Sequence, residues 1–311
     1  MNKLLLPLAL IVLFSCTAST QERKSIIQKE DNNSEIINET TNKNTVESFS
    51  IIKELPKKLN EISGIAKDGN YLWAISDDPK ADIYKLDLEG NIVQEVILND
   101  HKFLDIEDVT VDANYLYIAD VGDNDGSRGE RNIFKIKKST IGSDKKVKVN
   151  AEVIRFLFPD QGDIKKKKNE YDCEAIISYA DELYLFTKRR NDGKTELLKL
   201  PKAPGKQSPI SVSVFDSKGL ITGASINESH SEVALVGYQN GHKQPFVWLL
   251  SGFNGSNFFS GTQQQFILTK EKKDWQVEGV SFKDNSTLFF SCESTKDVPA
   301  SLYSLPKSVF D

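Results

Sequence analysis

The chain has 311 residues and a formal charge of −5, and hydrophobic residues make up 39% of it. A chain of this length can bury one large core, and its negative charge argues against nucleic acid as a partner. Composition therefore favours a globular domain without naming its ligand.

The N-terminal segment predicts export and lipid attachment. Lys3 precedes an almost unbroken apolar run from Leu4 to Phe14, which fits the hydrophobic region of a secretory signal and is too short for a stable membrane-spanning helix. The run ends in Leu13-Phe14-Ser15-Cys16, which resembles a bacterial lipobox, so we expect Cys16 to be lipidated. An ordinary signal peptide with a chance cysteine is the alternative.

Composition divides the chain into a lipoprotein signal peptide at 1–16, a disordered tether at 17–46 and a single domain at 47–311. The tether is rich in Asn, Ser, Thr, Glu and Lys and contains no aromatic residue. Such a segment buries too little apolar surface to offset its ordering entropy. We therefore expect a body anchored by lipid to a membrane of the bacterial cell envelope, the outer membrane being favoured, and lying in the periplasm or at the cell surface.

One short sequence pattern recurs five times, beginning at Glu61, Asp105, Tyr171, Leu220 and Trp275. Each copy has two β-rich runs joined by a short polar turn, which is a hairpin signal. A repeat of this size is typical of propellers and solenoids. Aligning the copies brings one set of residues to the same position: Ser63, Glu107, Glu174, Thr222 and Glu278.

The repeat predicts an all-β, five-bladed β-propeller of four-stranded sheets. A third β-rich run follows in all five copies and a fourth follows in four of them. The alternating segment Ser48–Ile52 can supply the missing strand of the last blade. That closure leaves no large unpaired sheet edge.

The aligned residues predict a metal site. The first strand of each propeller blade lines the central channel, so the five side chains should form a ring. Three carboxylates meeting there would suffer desolvation and mutual repulsion unless a cation lay between them. Together with Ser63 and Thr222 they offer an oxygen-only shell, which suits Ca²⁺, and the absence of His or Cys argues against zinc. The alternative is that each glutamate is a solvated or salt-bridged loop residue.

The second strands run back to the face where the first strands begin. Their ends should bring Asp78, Asp120 and Asp123 to the channel mouth, and the loops entering the first strands should bring His101, Asp105 and Asp172. The basic cluster Lys188, Arg189 and Arg190 should rim the same mouth. Acidic and basic groups together suit a bound cation plus an anion such as phosphate, although a solvated strand end is the alternative for the basic cluster.

Cys173 and Cys292 fall in different copies of the repeat. Since a cysteine thiol often packs as a small hydrophobic group, we expect two buried thiols rather than a disulfide.

At the repeat residues the sequence resembles the calcium-activated nucleotidases (apyrases). Glu61-Ile62-Ser63-Gly64-Ile65 followed by Asp77-Asp78 is similar to the family's E-L-S-E-L and D-D, and Glu107-Asp108-Val109 is similar to its E-W-L-A-V. Cys173-Glu174-Ala175 leading to Lys188-Arg189-Arg190 is similar to H-E-S-A leading to P-R-R. The resemblance implies a five-bladed propeller with one axial Ca²⁺ held by serine and glutamate, with Thr222 in place of a serine.

The chain also departs from that family. The arginine-threonine-glycine after D-D becomes Pro79-Lys80-Ala81, and Cys173 replaces the histidine before Glu174. Nothing matches the family's N-terminal acidic segment that helps to bind nucleotide. A looser likeness exists to SdiA-regulated-type bacterial propellers, which also carry glutamate on the first strand and have no established chemistry. The resemblance therefore supports the metal site better than the catalysis.

Two functions follow as hypotheses. The first is a lipid-anchored, calcium-binding lipoprotein whose channel mouth binds an unknown small molecule or protein. The alternative is a Ca²⁺-dependent nucleoside diphosphatase or phosphoester hydrolase, so whether the protein is an enzyme stays open. In the second case Lys188, Arg189 or Arg190 would neutralise phosphoryl charge and Asp78, Asp120 or Asp123 would position water. A lactonase-like hydrolase is a third option, but it would normally use Asn and Asp ligands, which the aligned position lacks.

Overall fold

The computed structural model describes residues 45–46, 49–78, 82–158, 170–239, 241, 244–268 and 275–310. The predicted lipidation site Cys16, nearly all of the tether and the segment Pro79-Lys80-Ala81 lie outside these ranges. All described residues belong to one compact unit, Thr41–Asp311. Within the described ranges no helix is both long enough and apolar enough to cross a membrane.

Five small antiparallel sheets form the five blades of a propeller, as the repeat predicted. Two short strands, β1 (Thr45–Val46) and β2 (Ser50–Glu54), precede the first blade. From the axis outward, blade 1 contains β3 (Ile62–Asp68), β4 (Tyr71–Ser76), β5 (Ile83–Asp87) and β6 (Ile92–Leu98). Blade 2 contains β7 (Ile106–Val111), β8 (Tyr115–Asp120), β9 (Arg131–Lys137) and, after β10 (Lys146–Val149), the strand β11 (Glu152–Phe156).

The remaining blades follow the same plan. Blade 3 contains β12 (Cys173–Tyr179), β13 (Glu182–Thr187), β14 (Thr195–Pro201) and, after β15 (Gly205–Gln207), the strand β16 (Ile210–Phe215). Blade 4 contains β17 (Leu220–Ile226), β18 (Glu232–Gln239), β19 (Gln244–Ser251) and β20 (Thr262–Leu268). Blade 5 contains β21 (Val277–Asp284), β22 (Thr287–Cys292) and β23 (Ser301–Pro306). Short 3₁₀ helices cover Lys57–Leu59, Lys138–Thr140 and Lys307–Phe310.

The ring closes through the N-terminal strand. β2 pairs antiparallel with β23 and becomes the outermost strand of blade 5, with Ile51 opposite Tyr303. The sequence placed this strand at Ser48–Ile52, and the structure has it at Ser50–Glu54. Closure by pairing the two ends of the domain removes the edges that an open ring would expose.

Three outermost strands were not apparent from the sequence. β10, β15 and β1 each pair parallel with the outer strand of a blade, namely β6, β11 and β20. They are two to four residues long. β10 lies within the chain segment of blade 2 but pairs with blade 1, and β15 lies within the segment of blade 3 but pairs with blade 2. Strands this short carry little hydrophobic pattern, which explains why the repeat alone did not reveal them.

Five hydrophobic clusters fill the five interfaces between neighbouring blades. Blade 1 packs on blade 2 through residues such as Ile75 and Ile118, and blade 5 packs on blade 1 through residues such as Phe289 and Ile65. Cys173 and Cys292 are buried in two different clusters and form no disulfide, as predicted. Because every interface has its own core, the inner strands are held at fixed positions around the axis.

A buried carboxylate links the inner strands just below the predicted ring. Asp108 is 1% exposed, and its side chain accepts the backbone N–H of Val109 at 2.8 Å and of Ile176 at 2.9 Å. The backbone of Ala224 on blade 4 lowers the pKa of Asp108, as the Val109 and Ile176 N–H groups do, while burial raises that pKa well above its ordinary value. At Gly64 a Cβ atom would lie 2.5 Å from Asp108 Oδ1, so glycine leaves space for this contact.

Candidate metal centre

All five predicted ring residues stand at the same structural irregularity. Each inner strand has a one-residue β-bulge against the second strand, and the bulged residue is the ring residue in every blade. A bulge removes its residue from the ladder and turns its side chain in a new direction, and bulges concentrate near functional sites. The five bulged residues are Ser63, Glu107, Glu174, Thr222 and Glu278, all at most 6% exposed.

The ring glutamates lie near one another, and Asp172 joins them. Oxygen atoms of Glu107, Asp172 and Glu174 all lie within 4.8 Å of one another, an arrangement that could hold a metal ion. Glu278 interacts electrostatically with Glu174. The sequence placed Asp172 at this face but did not recognise it as a ligand, although acidic residues two positions before the ring in three copies (Glu61, Asp105 and Asp172) were a usable signal.

Three ring oxygens lack hydrogen-bond partners among the described residues. They are Ser63 Oγ, Glu107 Oε1 and Glu174 Oε1, and all three are buried. Buried polar atoms in native proteins are normally paired, since an unpaired one loses its interaction with water without replacement. One hydroxyl and two carboxylate oxygens without hydrogen-bond partners around one axis fit a cation that prefers oxygen ligands. Thr222 differs, because its hydroxyl donates to the Val277 carbonyl at 2.7 Å.

The space between the buried carboxylates of Glu107, Asp172, Glu174 and Glu278 is called the axial chamber below. Two side chains of the basic cluster enter this chamber and one does not. Lys188 is 5% exposed, and its Nζ donates to Glu174 Oε2 at 2.7 Å. Arg190 Nη2 donates to Asp172 Oδ2 at 2.8 Å and lies 3.6 Å from Glu174 Oε1. Arg189 instead pairs with Asp192 near the surface. Lys188 and Arg190 therefore supply positive charge to the chamber.

Burial controls the protonation of the chamber. Burial raises the pKa of Glu107, and the Glu174 and Asp105 carboxylates raise it further. Burial also raises the pKa of Glu174 and Glu278, while the Lys188 ammonium opposes that rise. Burial would lower the pKa of Lys188, but Glu174 and its other neighbours hold it well above the ordinary value. Lys188 therefore stays charged and stabilises the ionised form of Glu174.

Asp120 and Asp123 hold the loop after β8 in place. Asp120 is fully buried, accepts the backbone N–H of Asp105 at 2.9 Å and pairs with Arg128 at 2.9 Å. Asp123 pairs with the fully buried Arg131 at 2.7 Å. Both carboxylates therefore pair with arginine side chains and hold the loop, although Asp120 Oδ2 is buried and has no hydrogen-bond partner among the described residues. Asp78, the remaining candidate, is exposed.

The opposite end of the channel is a separate cavity. It has a volume of about 480 Å³, and none of the five ring residues lines it. Lys67, Asp112, Lys202 and His230 are among its lining residues. The Asp108 layer lies between the ring positions and this cavity along the inner strands.

Comparison with known proteins does not support assigning the function of any of them to this chain. No family model matches the chain, and no curated protein matches it. Among solved structures, Kuenenia stuttgartiensis hydrazine synthase is 12% identical with a TM-score of 0.40, covering 79% of this chain and 60% of that one. Myxococcus xanthus glutaminyl cyclase is 11% identical with a TM-score of 0.48, covering 83% and 96%. The computationally designed Ika4 protein is 11% identical with a TM-score of 0.30, covering 69% and 96%.

The first prediction concerns pH in metal-free protein. Burial, with Asp105 and Glu61 nearby, raises the pKa of Asp77 to about 7, and burial with Glu278 raises that of Glu293 to about 8. The unfolded values lie near 4, so between these limits the folded state binds more protons. The free energy of unfolding should therefore fall as pH rises from about 4 to about 8.

Thermal melting in the presence of a chelator checks this. The slope should flatten in the double variant Asp77→Asn, Glu293→Gln, and should be kept in Asp216→Asn, which changes an exposed aspartate. A melting temperature that increases with pH across this window in wild-type protein would contradict the argument.

Proposed function

We propose that the axial chamber binds one divalent cation, with Ca²⁺ preferred, and that the propeller is a calcium-dependent binding protein. The observation that carries the proposal is the set of three buried ring oxygens without hydrogen-bond partners. Oxygen-only donors in a ring that permits more than four ligands suit Ca²⁺ better than zinc or a strictly octahedral ion.

The charge balance of the chamber supports a divalent ion. Four buried carboxylates, those of Glu107, Asp172, Glu174 and Glu278, face the two cationic side chains Lys188 and Arg190. Two negative charges are left over when all these groups are ionised. One divalent cation would neutralise them, and the carboxylates would then not need to bind protons to remain buried.

The channel mouth suits a ligand with an acidic group. The Arg190 side chain is 26% exposed there, although its Nε atom is buried. An anionic ligand at this point would receive a charge-assisted hydrogen bond. It would also lie beside the bound cation, so ligand binding and cation binding should favour each other.

We propose further that Cys16 carries a lipid and anchors the protein to the cell envelope, with the propeller in the periplasm or at the cell surface. The apolar run before Cys16 supports this. In cell fractionation, Cys16→Ser should move the protein out of the membrane fraction. Retention of that variant in the membrane fraction would contradict lipid attachment at Cys16.

The cation itself is tested by thermal melting with calcium and with chelator. Calcium at about 100 times its dissociation constant should raise the melting temperature by roughly 5–10 °C, because a ligand at that excess adds about 2.7 kcal/mol to a domain of this size. The double variant Glu107→Gln, Glu174→Gln should lose this shift. Glu89→Gln, which changes an exposed glutamate, should keep it. Equal melting temperatures with calcium and chelator in wild-type protein would refute a tight axial site.

A second candidate is a Ca²⁺-dependent phosphoester hydrolase, resembling the apyrases. The specific observation in its favour is that Lys188 and Arg190 both reach the carboxylate chamber, where they would neutralise charge on a phosphoryl group. The ion would supply Lewis-acid polarisation of a phosphoryl oxygen. Asp120 and Asp123 pair with Arg128 and Arg131, and the one Asp120 oxygen without a hydrogen-bond partner among the described residues is buried from solvent, so binding is the better supported function.

Phosphate release from GDP or UDP, with calcium and with chelator, separates the two candidates. In the hydrolase case Arg190→Gln should lower turnover about 100-fold. Arg189→Gln is the matched control and should retain turnover, because Arg189 pairs with Asp192 outside the chamber. No calcium-dependent turnover on a panel of phosphate esters would exclude the hydrolase and leave the binding function.

A further inference from the structure

Three hydroxyl groups line the cavity at the far end of the channel, at equivalent positions of the repeat. Thr110, Ser225 and Ser281 each stand three residues after the ring residue of their blade, on β7, β17 and β21. All three belong to the wall of the cavity of about 480 Å³. The inner strands that carry the axial ring therefore also carry a set of hydroxyl groups at their other end.

Each of these hydroxyl oxygens accepts a backbone N–H from the next blade around the ring. Ser281 Oγ accepts the N–H of Lys67 at 2.9 Å, and Thr110 Oγ1 accepts that of Ser178 at 3.2 Å. Ser225 Oγ accepts the N–H of Phe282 at 3.3 Å. A hydroxyl that accepts one bond keeps its own O–H to donate. None of the three donates to another residue in the described ranges, so these protons are available to a molecule in the cavity.

An ammonium group stands next to two of the hydroxyls. Lys67 lines the cavity, and its backbone bond to Ser281 holds it beside that side chain. Lys67 Nζ pairs at 3.2 Å with Glu228, whose side chain is 89% exposed. Because an ion pair with so exposed a carboxylate contributes little free energy, an anion inside the cavity can replace Glu228 at low cost.

The other carboxylate in this wall has its hydrogen bonds already. Asp112 accepts the Lys202 ammonium at 3.0 Å, the Tyr117 hydroxyl at 2.8 Å and two backbone N–H groups at 2.8 and 2.9 Å. The cavity therefore offers a ligand mainly hydrogen-bond donors, which suit an oxygen acceptor and above all an anionic one.

Carbon side chains form much of the remaining wall. Ile65, Val109, Ala224 and Phe282 are among the lining residues. Small-molecule sites combine such apolar walls with a few polar groups that fix the orientation of the ligand, and their volumes are typically about 300–1,000 Å³. The wall therefore suits a molecule that has a carbon body as well as an anionic group.

We propose that this cavity binds a small organic carboxylate. Lys67 supplies the opposite charge, and the Ser281 and Ser225 hydroxyls donate to the carboxylate oxygens. Thr110, in the same wall, donates to a further oxygen where the ligand has one. The site goes beyond the function proposed above, because it uses neither the axial cation nor Arg190.

The test is titration of the purified protein with benzoate and with hexanoate in the presence of chelator, followed by ligand-observed NMR. A dissociation constant of about 1 mM or below is expected for ligands of this size. Lys67→Gln should weaken binding about 10-fold, because it removes the charged partner and keeps the backbone bond to Ser281. Ser225→Ala should weaken it about 5-fold. Lys148→Gln, which changes an exposed lysine on β10, should bind as wild-type protein does.

Benzamide, the neutral counterpart of benzoate, should bind at least about 10-fold more weakly than benzoate. Thermal melting verifies that each variant is folded. Equal affinity for benzamide and benzoate, or wild-type affinity in folded Lys67→Gln, would refute the carboxylate site.

Arg190→Gln separates this cavity from the channel mouth and should leave benzoate binding unchanged. Binding that is lost in Arg190→Gln and kept in Lys67→Gln would place the carboxylate at the mouth and overturn this assignment. Absence of saturable binding of both carboxylates to wild-type protein would also overturn it. The calcium-dependent melting shift reports on the axial site alone, so the failure of either proposal is recognised separately.

Discussion

The centre of this propeller is dominated by the cost of burying carboxylates next to one another. Glu107, Glu174 and Glu278 are each at most 6% exposed and come from three different blades. A buried carboxylate either binds a proton, pairs with a cation or accepts several hydrogen bonds. The five hydrophobic clusters between blades fix the inner strands, so the glutamates cannot move apart to relieve their repulsion.

Cationic side chains of the protein offset part of the cost of burying these carboxylates. Lys188 and Arg190 follow the second strand of blade 3 and return to the face where β12 begins, because the two strands are antiparallel. Lys188 pairs with Glu174, whereas Arg190 pairs mainly with Asp172. Among the described residues Glu107 forms no salt bridge, and the Glu174 and Asp105 carboxyl groups act on it more strongly than the Lys188 ammonium. The cationic side chains therefore neutralise the carboxylates unevenly, and Glu107 on blade 2 is neutralised least.

Much of the architecture was predictable because it repeats. Five copies of one pattern predicted five blades. Because the last copy has only three β-rich runs, the sequence also predicted that an N-terminal strand completes the last blade, which β2 confirms. The aligned position was also identifiable, since three copies carry glutamate there. The bulges could not be identified from the sequence, because a bulge changes the pairing of a strand without changing its hydrophobic pattern. Nor could spacing distinguish Arg189 from Arg190, since adjacent residues at a strand end diverge by the path of the following loop.

Glu107 and Asp108 are adjacent in the sequence and are both buried acids, but their carboxyl groups differ in the hydrogen bonds that they accept. Asp108 accepts two backbone N–H groups, those of Val109 and Ile176, so the inner strands supply hydrogen bonds to a buried carboxylate. One residue earlier, the bulge turns Glu107 away from the backbone, and its Oε1 finds no donor in the described ranges. The same strand thus builds a closed hydrogen-bonded layer and, directly above it, an open set of oxygens. The proposed cation site rests on this contrast between a carboxylate that accepts backbone N–H groups and a neighbouring one with an oxygen that accepts none.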